Sequence, residues 1–332
     1  MTIRIIYPRW YFPYNLGDTV MLSSVFQAIH AQNKFKNIHL ITDTYTANTF
    51  FNDPYINKIT GLSKFQSKLL SKKLFNIFKA LPNTYVIWPG WHQDTFRYLR
   101  SKNNLQNCIN SPQKNILSIN YAIQIDSNTL NQPDLRPRIY LTKDEEDSAK
   151  IIIPNNAIGV HIAKIRNSQT RNDRSQYRYN LEHWRTLCRE IKVSLPHITI
   201  FEIGSDEFLG IGDQHIGFRT IRETAALINQ MDLVILSDGG IHNICNAIDK
   251  KVLLFQAYEW NPAELFKMGN AIFDSNCHLS CSTKCHLLHE IKQIKDERQV
   301  CNRECYQLDP RKLASTAINF LKKNYAPKIP KN

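Results

Sequence analysis

The 332-residue sequence contains no run of about 18 consecutive apolar residues, the length that a membrane-spanning helix requires. Its first residues, Met1-Thr2-Ile3-Arg4-Ile5-Ile6-Tyr7, offer too short an apolar stretch and no small-residue cleavage site for a secretory signal. They read as a first β-strand, and the expected compartment is the cytoplasm. Acidic residues are in short supply: 29 Asp and Glu stand against 42 Lys and Arg, a formal net charge of +13. Such a balance suits a nucleic acid, an anionic membrane surface or a phosphorylated substrate. No helix-turn-helix, RNA-recognition motif or zinc-finger spacing is present, which makes nucleic acid the weakest of the three. No internal repeat is visible in motif detail.

What is present is enough apolar material for two cores, at 42% hydrophobic residues over a length that suggests two domains. Strand and helix signals alternate in both halves. In the first, Ile3–Tyr7, Ile38–Thr42 and Tyr85–Trp88 read as strands, with Ile116–Ile119 as one more. Thr19–Ala31 reads as a helix and Ala47–Asn52 as a helical turn. Lys64–Lys79 places Phe65, Leu69, Leu70, Leu74, Phe75 and Phe78 at helical spacing among lysines, an amphipathic helix that packs on a sheet or touches a membrane. Residues 126–157 are polar and carry Pro133, Pro137 and Pro154, as an interdomain segment would, and Thr142-Lys143-Asp144-Glu145 is a capping box. In the second half, strands are expected at Ala157–Ile162, Ile198–Ile203, Leu233–Leu236 and Val252–Phe255. Helices are expected at Leu181–Leu195, Ile221–Gln230 (capped by Thr220) and Pro310–Asn324.

Two glycine turns carry the chemistry. Leu233–Leu236 runs into Ser237-Asp238-Gly239-Gly240-Ile241-His242, and a helix follows. A turn at the carboxyl end of a parallel strand is where open α/β sheets place ligands. The helix start offers unpaired N–H groups and partial positive charge to a phosphate. Asp238 adds a carboxylate for hydroxyls, and His242 an imidazole. In the first half, strand one ends in Pro8–Leu16, then Gly17-Asp18 opens a helix. Asp18 suits an N-cap. It equally suits a carboxylate facing a cleft, kept ionised by the helix N–H groups and able to act as general base.

Asn15-Leu16-Gly17-Asp18-Thr19-Val20-Met21-Leu22-Ser23-Ser24 resembles the N-terminal glycine-aspartate motif of the bacterial heptosyltransferases, glycosyltransferase family 9. Thr224–Ile228 with Asp232–His242 resembles that family's donor motif, and order and spacing agree over about residues 1–325. The resemblance implies an α/β, GT-B fold: two Rossmann-like, doubly wound domains facing a central cleft, with a C-terminal helix crossing back to the first domain. It divides the chain into an acceptor-binding domain, residues 1–150, a nucleotide-sugar donor domain, 151–308, and a crossover helix with a basic tail, 309–332. It implies an inverting, metal-independent transfer of heptose from ADP-heptose to an acceptor hydroxyl of a lipopolysaccharide-type glycan at the inner membrane. In that reaction Asp18 is the base, Asp238 contacts sugar hydroxyls, and Gly239, Gly240 and His242 form the phosphate turn. No cofactor is required beyond the nucleotide-sugar co-substrate.

Two departures stand out. The donor turn is one residue shorter than the family pattern, and the position of the family's phosphate-binding lysine holds Tyr177, with Arg178 beside it. Arg178 can supply the charge in a forked geometry. Lys164, Arg166, Arg171 and Arg174 are its rivals. Glu202 or Glu207, flanking the turn after Ile198–Ile203, is a candidate for a ribose hydroxyl, and Trp88-Pro89-Gly90-Trp91-His92 for acceptor stacking. Each equally suits a purely structural role.

Five of the eight cysteines lie at Cys277, Cys281, Cys285, Cys301 and Cys305. Two pairs at X3 spacing, Cys281/Cys285 and Cys301/Cys305, suit a four-thiolate structural site for zinc or iron, and buried free thiols are the alternative. Relatives that glycosylate protein autotransporters hold iron in such a stretch, which makes a protein the alternative acceptor. A nucleotide-sugar epimerase on the same plan and a non-catalytic nucleotide-sugar-binding scaffold are the remaining readings.

Overall fold

The structure, a computed structural model, describes residues 2–8, 16–33, 35–69, 77–78, 80–88, 116–132, 134–161, 181–204, 208–217, 219–236, 240–255, 271–274 and 309–325. The first half contains β1 (Thr2–Ile6), α1 (Leu16–Met21), α2 (Ser23–Ala31), β2 (Asn37–Asp43), α3 (Thr44–Thr49), β3 (Lys58–Leu62), α4 (Lys64–Leu69), β4 (Thr84–Val86), α5 (Ile116–Ala122) and α6 (Ser127–Leu130). The second contains α7 (Lys143–Ile152), β5 (Ala157–His161), α8 (Leu181–Ser194), β6 (Thr199–Ile203), β7 (Gln214–Ile216), α9 (Ile221–Gln230), β8 (Leu233–Leu236), α10 (Gly240–Ala247), β9 (Val252–Phe255), β10 (Ala271–Asp274) and α11 (Pro310–Tyr325).

The strands form two parallel sheets, ordered β3-β2-β1-β4 and β10-β9-β8-β5-β6-β7. Both orders reverse direction about an inner strand, the doubly wound pattern that leaves a ligand crevice at the strands' carboxyl ends. β5 and β8 are buried along their whole length, which is why Leu233-Val234-Ile235-Leu236 is a continuous apolar run rather than an alternation. In β1 only Ile3, Ile5 and Ile6 are buried; Ile3 and Ile5 pack with Phe26, Ile38 and Leu40 under α2. Each such side chain contributes roughly 1.5–3 kcal/mol.

Caps set the helix starts. Asp43 accepts from Thr46 N at 3.0 Å at the head of α3. Complete capping boxes, Thr142 with Glu145 and Thr220 with Glu223, open α7 and α9. The helix expected over Thr19–Ala31 starts earlier and is broken at Leu22. Ser23 Oγ donates to Val20 O at 2.8 Å and Ser24 Oγ to Met21 O at 2.7 Å, so hydroxyls claim carbonyls that a continuous helix would use.

Two expectations change. Ile116–Ile119, read as a strand from its β-branched residues, lies in helix α5, which buries Ile119, Tyr121 and Ala122. The amphipathic segment does not press all its apolar residues onto the sheet: Phe78 packs against Ile6 and Val86, while Phe65 in α4 is 73% exposed. Helix α11 packs Leu313, Ala314, Ala317 and Leu321 with Trp184, Leu187 and Ile191 of α8. Its described residues begin on the second half, as a helix that starts there would.

The segment from Asp134 to Thr142 laces the halves together. Arg138 N donates to Ser23 Oγ at 2.6 Å, and Ile139 N to Ala247 O at 3.1 Å. Among the described residues no helix is long and apolar enough to cross a membrane.

Candidate functional site

The two glycine turns come together. α1 packs on α10, and a Cβ placed on Gly17 would lie 2.3 Å from Asn243 Nδ2 and 3.6 Å from the Gly240 Cα. A side chain at Gly17 would have to push the Asn243 amide aside, while the α10 backbone stays at ordinary contact distance. Asp18 is the third residue of α1, inside its first turn rather than at its N-cap. That position still places it among unpaired N–H groups and positive helix-end charge. Its side chain lies outside the described residues.

Beside this contact is a cavity of about 160 Å3. It lies where β5, β6 and β7 end, and its lining includes His161, Gly204, Arg219, Thr224 and Gly240, with Tyr45 of α3 closing it from the first half. Gly204 has φ +81°, and a Cβ there would stand 3.0 Å from His161 Cδ2, so the turn after β6 and the imidazole fit together only around a glycine. Arg219 is exposed and stands just before the Thr220 cap of α9. The cavity therefore combines a cation, an imidazole, a hydroxyl and the start of α10. A larger depression of about 550 Å3 lies at the opposite ends of α9 and α10, against Asn229 and Ile248. Its charged lining residue is Glu146, with no Lys or Arg, so it does not suit an anion.

The expected residues are divided by the structure. Gly240 lines the cavity; His242 is buried in α10 at 2% exposure and is not part of that lining. Its neighbour Ile241 does line the cavity. His161, at the end of β5, supplies the cavity's imidazole instead. Asp238, Gly239, Lys164, Arg178, Glu207 and the metal candidates Cys281, Cys285, Cys301 and Cys305 lie outside the described residues. So do Pro89-Gly90-Trp91-His92.

Glu202 is not a ribose ligand in waiting. It is 1% exposed, and its carboxylate accepts from Leu209 N at 2.8 Å, Gly212 N at 2.9 Å and Ile211 N. It ties down the loop between β6 and β7. Tyr45, Arg219 and Asn243 went unsingled in the sequence. The Thr220–Glu223 capping pair marks where Arg219 sits, while Tyr45 and Asn243 carry no local signal.

Three further titratable groups are buried near these elements. Asp53, at 7% exposure, has its carboxyl pushed up to about 7 by burial, against a main-chain bond from Tyr55. Burial likewise pushes the thiols of Cys188 and Cys245 up to about 12, so both are inert core residues. No group of three or more His, Cys, Asp or Glu side chains placed to hold a metal occurs among the described residues.

No protein-family model matches the sequence, and no curated protein does. Solved structures do match in shape. A glycosyltransferase family 9 protein from Veillonella parvula superimposes with a TM-score of 0.60 at 13% identity, covering 97% of each chain. The fold is GT-B. The ADP-heptose lipopolysaccharide heptosyltransferase II of E. coli gives 0.60 at 12% identity, covering 98% of this chain and 100% of the other. The iron-containing dodecameric glycosyltransferase TibC of enterotoxigenic E. coli gives 0.60 at 14%, covering 97% of this chain and 76% of the other. In the GT-B frame the 160 Å3 cavity occupies the crevice between the two halves, at the carboxyl ends of the second sheet.

Proposed function

We propose that this GT-B protein is an inverting glycosyltransferase. It transfers a sugar, heptose from ADP-heptose, to an acceptor hydroxyl of a lipopolysaccharide-type glycan. The observation that carries this reading is the meeting of Gly17 with Gly240 and Asn243 beside the cavity, because it brings the Asp18 turn next to the donor turn. The acceptor oxygen attacks the anomeric carbon as the bond from that carbon to the diphosphate oxygen breaks. The hydroxyl proton passes to the Asp18 carboxylate, and the nucleoside diphosphate leaves with the bonding pair. Negative charge grows on the diphosphate, where the start of α10 and a cation (Arg219, Arg178 or Lys164) stabilise it. Asp238 holds donor sugar hydroxyls. The solved heptosyltransferase bound to ADP-D-β-D-heptose, at a TM-score of 0.58, supports the choice of donor.

The test is transfer from ADP-heptose with Asp18→Ala. Donor binding should persist while transfer falls by roughly 10²–10⁴, the usual contribution of a general base. Transfer near the wild-type rate sinks the assignment. Asp238→Ala should raise the donor KM, and unchanged donor kinetics would count against its role. Donor alone giving an altered sugar would point to an epimerase instead.

A protein is the alternative acceptor, and an iron-containing glycosyltransferase among the similar structures supports a metal in the cysteine stretch. Four thiolates at Cys281, Cys285, Cys301 and Cys305 are a donor set that both zinc and iron accept, and such a metal would be structural. Exposed Phe65 beside Lys64 supports peripheral contact with an anionic membrane on the glycolipid reading.

A further inference from the structure

Arg222 is a buried cation that the proposed chemistry does not use. It is 6% exposed on the first turn of α9, and every one of its N–H groups is occupied. Nε donates to Glu145 Oε1 at 2.6 Å and Nη2 to Glu145 Oε2 at 2.5 Å. Nη2 also donates to Tyr140 O at 2.8 Å. Nη1 donates to Phe51 O at 2.6 Å and Thr49 O at 3.4 Å, and the guanidinium lies 5.7 Å from the Phe51 ring centre. Five bonds use all five donors of the fork.

These partners belong to three separate parts of the fold. Thr49 and Phe51 end α3, which packs on the first sheet. Tyr140 is in the lacing segment. Glu145 opens α7, which packs on α9. The carbonyls at the end of α3 are the helix groups that most favour a cation. Arg222 thus fixes α3 against α9, and those same two elements carry the facing walls of the cavity: Tyr45 on α3, Ile221 and Thr224 on α9. The Gly17–Asn243 contact fixes the other side.

We infer that Arg222 is a positioning residue, the joint that sets the angle of the first half against the second and so the approach of the Asp18 helix to the donor cavity. The inference rests on the glycosyltransferase reading for its kinetic consequence, but not for its geometric one. Most of the described cavity lining comes from the second half, so a loosened joint alters transfer more than donor binding.

The experiment compares wild type with Arg222→Lys, which keeps the charge and loses the fork. Three readouts are taken: ADP-heptose dissociation constant, kcat of transfer, and single-molecule energy transfer between dyes on unnatural residues at exposed Lys36 and Val193. The expected result is a donor dissociation constant within threefold, kcat reduced at least tenfold, and a broadened or shifted distance distribution. An unchanged distribution, or kcat and donor affinity falling together, overturns the inference. If Arg222→Lys does not fold, Glu145→Gln weakens the same joint more gently and should give the same split, smaller in size. If wild type transfers no sugar, the functional reading fails, while the distance distributions still decide the joint.

Discussion

Gly17 of α1 and Asn243 of α10 touch across the junction between the halves, with room for a hydrogen but not for a methyl group: a Cβ would stand 2.3 Å from Asn243 Nδ2. Gly17→Ala should cost roughly 1–3 kcal/mol, the range for overpacking a closed site. Asn243→Ala in that background should recover part of the loss, with a coupling energy above about 0.5 kcal/mol in a double-mutant cycle. Chemical denaturation measures it, and strict additivity would show that the two side chains do not share this space.

Glu202 should behave as a loop anchor. Its carboxylate holds three main-chain N–H groups of residues 209–212, and Glu202→Ala leaves them without an acceptor. Roughly 2–4 kcal/mol of stability should be lost, read as a shift of the urea midpoint, with Glu202→Gln losing less. Donor affinity of Glu202→Gln should stay within twofold of wild type. A selective rise in donor KM would return Glu202 to the ribose.

Asp53 makes stability depend on pH. Its carboxyl titrates near 4 in an unfolded chain and at about 7 in the fold. Between those values the folded protein keeps a proton that the unfolded chain has released. Stability present at low pH is therefore lost as pH rises through the window. Asp53→Asn removes this dependence. The wild-type unfolding free energy minus that of the variant should fall by on the order of 2–4 kcal/mol from about pH 4 to pH 7.5. A flat difference would show that Asp53 ionises freely in the fold.

Purified protein should carry iron or zinc in stoichiometric amount, held by the stretch from Cys277 to Cys305. Elemental analysis checks it, and Cys281→Ser with Cys285→Ser should release the metal. Protein that never contains either metal rules the site out.

The sequence made the second half largely legible because its signals are local. Ile221–Gln230, Leu233–Leu236 and Val252–Phe255 fall where periodicity and the Thr220 cap place them. Two doubly wound halves followed from the alternating strand and helix signals, and the GT-B plan from the family resemblance of the two glycine turns. What failed was non-local. Ile116–Ile119 has strand composition, yet it lies in a helix whose Tyr121 packs in the first core. His161 has no motif around it and reaches the cavity only because β5 lies at the centre of its sheet. Arg222 reads as one more surface charge on an amphipathic helix, since all four of its partner residues are about 80–170 positions away.

The burial of Cys188 and Cys245 has a practical side. Of the eight cysteines, these two are closed to alkylating reagents while the protein stays folded. Mild maleimide labelling of native protein can therefore modify at most Cys108 and the five from Cys277 to Cys305. A bound metal would protect thiolates in that group, and its removal would expose them. Counting labelled sites by mass spectrometry before and after chelation thus turns the silence of two core thiols into a low background for reading the rest.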